Sequence, residues 1–94
     1  MEIHNRRELQ RFVADHPEAK KQIDAWVEDM EKIRLTSPHE LKRRYQQASI
    51  IGGGRVVFDI CHNRYRLLVV ISYNSGIVMV EKAGTHKEYD RWEI

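Results

Sequence analysis

The spacing of apolar residues changes near the middle of the chain, from helical intervals to continuous runs. In the first half, Leu9, Phe12 and Val13 share one apolar face. A longer stripe at helical spacing follows it: Ala19, Ile23, Trp26, Val27, Met30 and Ile33. In the second half, three largely apolar runs are separated by turn residues, which is typical of β-strands: residues 55–60, 65–73 and 77–82. The pattern therefore predicts helices first and an antiparallel meander second.

Polar residues and prolines predict where the helices begin and end. Asn5 followed by Glu8 indicates a reciprocal cap at the start of the first helix. His16-Pro17 ends that helix, because the residue before a proline avoids helical angles, and proline suits the first turn of the next helix. Ser37-Pro38, completed by Glu40, predicts the start of a short third helix.

Turn residues predict the strand connections. Three glycines at 52–54 suggest a hairpin, His62-Asn63 can turn the chain, and Asn74-Ser75-Gly76 reads as a three-residue hairpin loop. The run 65–73 is apolar at nearly every position, so we predict a central strand covered on both faces. Residues Glu2 to His4 are a candidate extra strand, and a helical crossover would permit parallel pairing.

The predicted fold class is α+β. The helix stripes need one face of the sheet to pack on, and this leaves polar and charged residues on the other face, where we expect the functional site. Residues 87–92 are predicted to form a short C-terminal helix. At 94 residues, we expect a single domain spanning 1–94.

Composition narrows the functional classes. The chain is 41% hydrophobic and 32% charged, a profile of soluble globular proteins, and its net charge of +2 permits nucleic-acid binding without requiring it. Cys61 is the only cysteine, which excludes an intrachain disulfide and a cysteine zinc cluster and fits a cytoplasmic protein. We expect no secretion signal and no membrane partner. The five histidines lack metal-ligand spacing, so no metal site is expected.

Two residues carry the most specific chemistry. Arg66 alternates with Leu67 near the start of the central strand, where a rigidly held guanidinium could grip phosphate. The alternative is an exposed arginine whose stem covers apolar surface. His86 follows the last strand, and Tyr89 and Asp90 lie within one helical turn of it. A lone histidine is usually a surface residue, but the neighbouring phenol and carboxylate favour a catalytic group.

A basic segment ends the third helix and could line a groove for a phosphate chain. The alternative is a solvated helix end that is favourable against the helix dipole. We expect nucleic-acid contacts from these residues: Lys42, Arg43, Arg44, Arg55, Asn63, Arg64 and Lys87.

Three segments, in this order and spacing, resemble the HigB-type toxins of bacterial type II toxin–antitoxin systems, a branch of the RelE superfamily. The segments are Arg55-Val56-Val57-Phe58, Asn63-Arg64-Tyr65-Arg66-Leu67 and Gly84-Thr85-His86-Lys87-Glu88-Tyr89-Asp90. The last segment is the most specific, and the similarity covers nearly the whole chain.

The resemblance implies a RelE-like fold and an mRNA interferase that cuts messages in the ribosome without metal or cofactor. It implies a HigA-like helix-turn-helix antitoxin as partner, with DNA contacted only indirectly through that antitoxin. Arg66 matches the strand arginine that stabilises the transition state. His86 takes the position of the C-terminal catalytic acid or base, and Tyr89 and Asp90 complete that corner.

The sequence also departs from the family pattern. The family usually has arginine at the position of Glu81, and an asparagine-glycine-glycine pattern where this chain has Asp59, Cys61 and His62. In the predicted mechanism Arg66 holds the developing charge and His86 is the acid, while Asp59, Asp90 and Tyr89 all remain candidates for the base. Two other functions stay open: a non-catalytic module binding RNA, ribosome or antitoxin, and an interaction domain without an RNA role.

Overall fold

The first half of the chain is helical, as predicted. The computed structural model describes residues 1–93. Its helices are α1 (Arg6–Asp15), a 3-10 turn (Pro17–Ala19), α2 (Lys20–Lys32) and α3 (Pro38–Arg44). The backbone of His16 leaves the helical region at φ −132°, so the helix ends where the proline predicts.

The second half forms the predicted meander. Its elements are β2 (Ser49–Gly52), β3 (Arg55–Ile60), β4 (Tyr65–Ser72), β5 (Ile77–Thr85) and α4 (His86–Tyr89), and the N-terminal β1 (Glu2–His4) joins the same sheet. The strand order is β1-β5-β4-β3-β2. Only β1 pairs in parallel, with β5, and the other neighbours are antiparallel. The α+β prediction is therefore confirmed.

The predicted reciprocal cap of α1 is wrong. Asn5 adopts the left-handed conformation at φ 65°, and its side-chain amide donates to the Val80 carbonyl at 2.8 Å instead of accepting from the helix. Glu8 accepts from Arg11 instead, at 3.1 Å. Asn5 thus ties the connection between β1 and α1 to β5, a long-range contact that the local pattern does not reveal.

The cap of α3 is half of the predicted one. The Ser37 hydroxyl accepts from the Glu40 backbone N–H at 3.2 Å. The Glu40 carboxylate accepts from the Thr36 N–H at 2.7 Å rather than from Ser37, and the hydrogen bond from the Thr36 hydroxyl is the main cause of a lowered Glu40 pKa.

The core lies between the helices and one face of the sheet. Two edge-to-face aromatic pairs fasten the layers: Trp26 with Phe58 at 5.5 Å, and Phe12 with Tyr65 at 5.1 Å between ring centroids. The other large side chains that are fully buried include Met30, Leu41, Leu67, Val69, Val78 and Val80. These are the residues that the helical stripe and the strand alternation predict to face inward.

The opposite face of the sheet is apolar in the middle and charged towards one end. Val57 and Leu68 pair across β3 and β4 and are both buried. Two residues further along β3 on the same face, Asp59 pairs with Arg66. The central strand is thus covered on both faces near its start, as the apolar run predicts.

The last strand is longer than predicted. It continues for three residues beyond Lys82. Glu81 forms a bulge in β5: Val80 pairs with Val69 and Lys82 pairs with Leu68, so that the pairing with β4 continues on both sides of Glu81. The β4–β5 loop also has four residues, 73–76, rather than three, and Gly76 adopts the predicted positive φ of 72°. The longer strand brings Gly84 opposite Arg66, so that α4 begins beside the charged end of the sheet.

Candidate active site

Arg66 is the only charged residue buried within residues 1–93, with 9% of its surface exposed. Strand alternation turns it away from the helices, and β3 and β5 flank it on either side. The alternative that Arg66 is a solvent-exposed arginine is therefore wrong. A buried charge is costly unless it is paired, so its partners define the site.

Three oxygens hold one end of the Arg66 guanidinium. Its Nη1 donates to the Asn63 carbonyl at 3.1 Å and weakly to the Tyr65 carbonyl at 3.4 Å, and lies 3.2 Å from the Asp59 Oδ1. The Tyr89 ring lies 5.4 Å from its central carbon, within cation–π range. Within residues 1–93, neither Nε nor Nη2 forms a hydrogen bond, so these donors remain for an anion.

A capping box builds α4. The Thr85 hydroxyl accepts from the Glu88 N–H at 3.1 Å, and the Glu88 carboxylate accepts from the Thr85 N–H at 2.9 Å. This backbone hydrogen bond is the main reason that the pKa of Glu88 is lowered. The His86 N–H also donates to the Arg64 carbonyl at 3.2 Å, which ties the first turn of α4 to the β3–β4 turn.

Gly84 lets α4 and its following turn lie close against the sheet. A Cβ at this position would come within 3.1 Å of both the Glu88 carboxylate and the Trp92 ring. Trp92 in turn packs edge-to-face on Tyr89 at 5.5 Å, and the Lys82 ammonium lies 5.8 Å from the Trp92 ring. This aromatic pair fixes the corner in which Tyr89 meets Arg66.

His86 and Arg66 both neighbour the Tyr89 ring. The His86 and Tyr89 ring centroids are 6.5 Å apart, and Tyr89 is also the ring beside Arg66. The His86 Nδ1 lies 3.7 Å from the Asp90 Oδ2, and both side chains are more than half exposed. The fold thus brings the four predicted catalytic residues into one corner, with a buried cation next to an accessible imidazole.

The other predicted nucleic-acid contacts divide into two groups. Asn63 in the β3–β4 turn and the exposed Lys87 on α4 border the corner, and Arg64 in the same turn contacts it through its backbone carbonyl. The Arg64 guanidinium lies 5.6 Å from the Tyr65 ring. Arg55 shares the Arg66 face but pairs with Val70 at the far end of β3.

The basic segment lies away from this corner. Arg44 forms a two-point ion pair with Asp29 on α2, and the Tyr45 ring packs on Phe58 at 5.1 Å, on the core face of the sheet. Lys42, Arg43 and Arg44 therefore belong to the helical layer, and the structure does not bring them together with Arg66.

Sequence reasoning missed three contributors to the corner. Trp92 was available as an aromatic three residues after Tyr89, and the Thr85–Glu88 spacing matches a capping box. The Asp59 pairing with Arg66 has no local signal, because it depends on the register of β3 against β4.

Residues 1–93 contain neither a cluster of metal-binding side chains nor a membrane-spanning helix. No three His, Cys, Asp or Glu side chains in that range are grouped to hold an ion. No helix in that range combines the length and apolar character needed to cross a bilayer.

A comparison with protein-family models finds a match that covers most of the chain. The model of the HigB toxin family, described as the RelE-like toxic component of a toxin–antitoxin system, matches residues 19–92. The chain belongs to this family. The match includes β2 to β5 and α4, and so all four corner residues. A search of curated proteins finds no match.

Membership confirms the resemblance that the three sequence segments indicate. As a HigB-family toxin, the protein is RelE-like and belongs to a toxin–antitoxin system, which implies an antitoxin partner. The family match does not assign a role to any single residue, so the roles depend on the geometry of the corner.

Proposed function

We propose that the protein is an mRNA interferase, a ribosome-associated endoribonuclease that cleaves messages by metal-independent acid–base chemistry. The observation that carries the proposal is the pair of groups beside the Tyr89 ring: the Arg66 guanidinium at 5.4 Å and the His86 imidazole at 6.5 Å. Family membership supports it, since the matched family is the toxic component of its system.

Arg66 supplies the charge stabilisation. Cleavage by the neighbouring 2′-hydroxyl puts additional negative charge on the phosphoryl oxygens, and pre-oriented donors lower the energy of that state. The guanidinium is already fixed at Nη1 by Asn63 and Asp59, so little orientation is lost when Nε and Nη2 meet the phosphate. Arg64 and Lys87 add positive charge around the same phosphate.

His86 supplies the proton for the departing 5′-oxygen. Imidazole is the side chain whose ordinary titration range lies closest to neutral pH, which suits a general acid. The Asp90 carboxylate near Nδ1 orients the ring and leaves Nε2 for the substrate.

Asp59, Asp90 and Tyr89 remain the candidates for the base. Asp59 faces Arg66 and Asp90 faces His86. The Tyr89 hydroxyl forms no hydrogen bond within residues 1–93, and its ring neighbours both catalytic groups.

The proposed biological setting follows from the toxin–antitoxin family. The substrate is mRNA on the ribosome, in the cytoplasm, and a HigA-like helix-turn-helix antitoxin neutralises the toxin. The protein meets DNA only indirectly, through that antitoxin. The mechanism needs no metal and no cofactor.

The test is induced expression of wild type and His86→Ala, with 5′-end mapping on translated messages. We expect new 5′ ends and growth arrest with wild type. In the variant, the number of new 5′ ends should fall at least 100-fold, because general acid catalysis contributes about 10²–10⁴-fold, and the growth arrest should be clearly weaker. His39→Ala, an exposed histidine on α3, is the matched control and should behave as wild type. Undiminished cleavage by His86→Ala would remove His86 from the mechanism.

A second candidate function is a catalytically weak or inactive RelE-fold module that binds RNA, the ribosome or the antitoxin. The Asp59 carboxylate beside Arg66 favours it, because an anion 3.2 Å from Nη1 offsets part of the charge offered to phosphate. The exposed Glu81 on β5 acts in the same direction. Salt-dependent RNA binding without new 5′ ends in the wild type would support this second function.

A further inference from the structure

A groove runs along the outer edge of β3, next to the Arg66 corner. It exists because β2 is short: its last pairing with β3 is Ser49 opposite Val57, so no strand covers residues 58–60 on that side. The groove has a polar end lined by Gln22, Gln47, Asp59, His62 and Asn63. Its other end is lined by the half-buried Tyr45 and by Asp29, with Trp26 and Phe58 almost fully buried behind them.

The two ends form one continuous depression. Gln22 and Asp59 line both of them. We refer to the whole depression as the edge groove.

The edge groove and the Arg66 corner share two residues. Asp59 and Asn63 line the groove, and they also supply two of the oxygens around the Arg66 Nη1, at 3.2 and 3.1 Å. A nucleotide whose phosphate meets the free donors of Arg66 therefore has the groove beside it. This adjacency distinguishes the groove from the depression between α1 and α2, which is lined by Leu9, Val13 and other helix residues.

The lining chemistry suits a nucleobase. Gln22 and Gln47 are exposed, and their side-chain amides form no hydrogen bonds within residues 1–93, so each offers a donor and an acceptor. Side-chain amides read base edges, and the half-buried Tyr45 ring offers an aromatic surface for a flat base. Trp26 adds a buried indole N–H that has no acceptor in the described part of the chain.

We propose that the edge groove binds a nucleobase adjacent to the scissile phosphate and favours bases that carry an exocyclic amino group. The ionised Asp59 carboxylate can only accept a hydrogen bond, which an exocyclic amino group donates and which uracil cannot supply from such a group, while Gln22 and Gln47 hold the base edge beside it. The proposal rests on the RNA cleavage proposed above and adds two specificity-determining residues to it, Gln22 and Gln47.

The test compares cleavage maps of wild type, Gln22→Ala, Gln47→Ala and Gln46→Ala on the same translated messages. Gln46 is the matched control, because it is an exposed glutamine next to Gln47 that does not line the groove. Truncating exposed side chains should leave folding intact, which thermal unfolding verifies. We expect wild type and Gln46→Ala to disfavour uracil at one position beside the cut. In the groove variants, this bias should fall at least ~5-fold. Gln46→Ala should keep total cleavage within about twofold of wild type.

Each other outcome has a defined meaning. Cleavage by wild type with no base bias, or with a bias that both groove variants keep, overturns the groove proposal and leaves the nuclease standing. Absence of cleavage by wild type removes the nuclease proposal and the groove proposal with it. Loss of antitoxin binding by the groove variants, with cleavage and bias unchanged, would assign the groove to a protein partner instead and overturn the nucleobase proposal.

Discussion

Two clusters in this protein each combine an arginine, an aspartate and a tyrosine, and they differ in what is left over. In the helical layer, Arg44 meets both carboxylate oxygens of Asp29, and Tyr45 donates to the same carboxylate. At the end of the sheet, Arg66 touches Asp59 through Nη1 alone, with the Tyr89 ring beside it. We call the first cluster closed, because Nε and Nη2 of Arg44 and the Tyr45 hydroxyl all bind Asp29, and the second open, because Nε and Nη2 of Arg66 form no hydrogen bond within residues 1–93.

The closed cluster shifts the titration of its members. Hydrogen bonding from Arg44 lowers the pKa of Asp29, and burial together with the hydrogen bond to Asp29 raises the pKa of Tyr45. Such mutual satisfaction suits a structural contact between α2 and the end of α3. Composition alone therefore does not separate a structural arginine from a functional one; the number of uncommitted donors does.

Arg66→Ala and Arg44→Ala should separate the two clusters most clearly. We expect Arg66→Ala to lower cleavage about 10²–10³-fold, as loss of a charge-stabilising donor does, and Arg44→Ala to stay within about twofold. Quantified 5′-end mapping at matched protein levels measures both. Equal losses in the two variants would mean that the clusters do not differ in function.

The closed cluster should matter for stability instead. Asp29→Ala leaves the half-buried Tyr45 hydroxyl and Arg44 without their acceptor, so we expect a loss of about 1–2 kcal/mol in the free energy of unfolding, measured by urea denaturation at pH 7. Under conditions where the variant is folded, cleavage should fall far less than in Arg66→Ala, because Asp29 lines only the far end of the edge groove.

This stability term has a predictable pH dependence. Because the pKa of Asp29 is lower in the folded chain, its contribution is complete above the unfolded value of about 3.9 and disappears as the pH falls through the folded value. The stability difference between wild type and Asp29→Ala should therefore shrink below about pH 4. A difference that stayed constant well below pH 4 would argue against the ion pair.

Thr85→Ala tests whether the open cluster depends on its helix cap. Losing an N-cap costs about 1 kcal/mol, and α4 has only four residues, so the effect should be local unfolding around His86. We expect cleavage to fall roughly 5-fold with little change in global stability. Thr85→Ser keeps the hydroxyl and serves as the control. Amide exchange of residues 86–89 reports the unfolding directly.

Asp59→Asn should have the smallest effect, and its sign is informative. Removing the carboxylate charge next to Arg66 should strengthen phosphate binding and raise cleavage by about 2- to 5-fold. Cleavage rates at two salt concentrations measure it. A decrease of 10²-fold or more would instead identify Asp59 as the general base.

Much of the fold follows from local pattern. The apolar residues from Ala19 to Met30 can all be buried only if they form one face of a helix. The run of β4 is apolar on both sides near its start, so both faces of that strand are buried there. Where the sequence prediction failed, a distant partner decided the outcome. Asn5 serves Val80, 75 residues away, rather than its own helix. The β5 bulge extends that strand past Lys82.

The residues of the candidate site were predictable from the sequence, but their burial and ion pairing were not. Segment similarity selected Arg66, His86, Tyr89 and Asp90, and the structure places them in one corner. The burial of Arg66 and its ion pair with Asp59 were not predictable, since they depend on which residues face each other across strands. The sequence equally grouped Lys42 to Arg44 with the site by charge, although α3 packs on the other face of the sheet.

By itself, the sequence determined the order of elements, the inward residues and the chemical groups available, because periodicity and turn chemistry act over a few positions. The tertiary structure alone decided which cations are neutralised and which remain open. That decision depends on strand register and on α4 lying against Gly84, where side chains from separate segments meet at hydrogen-bonding distances.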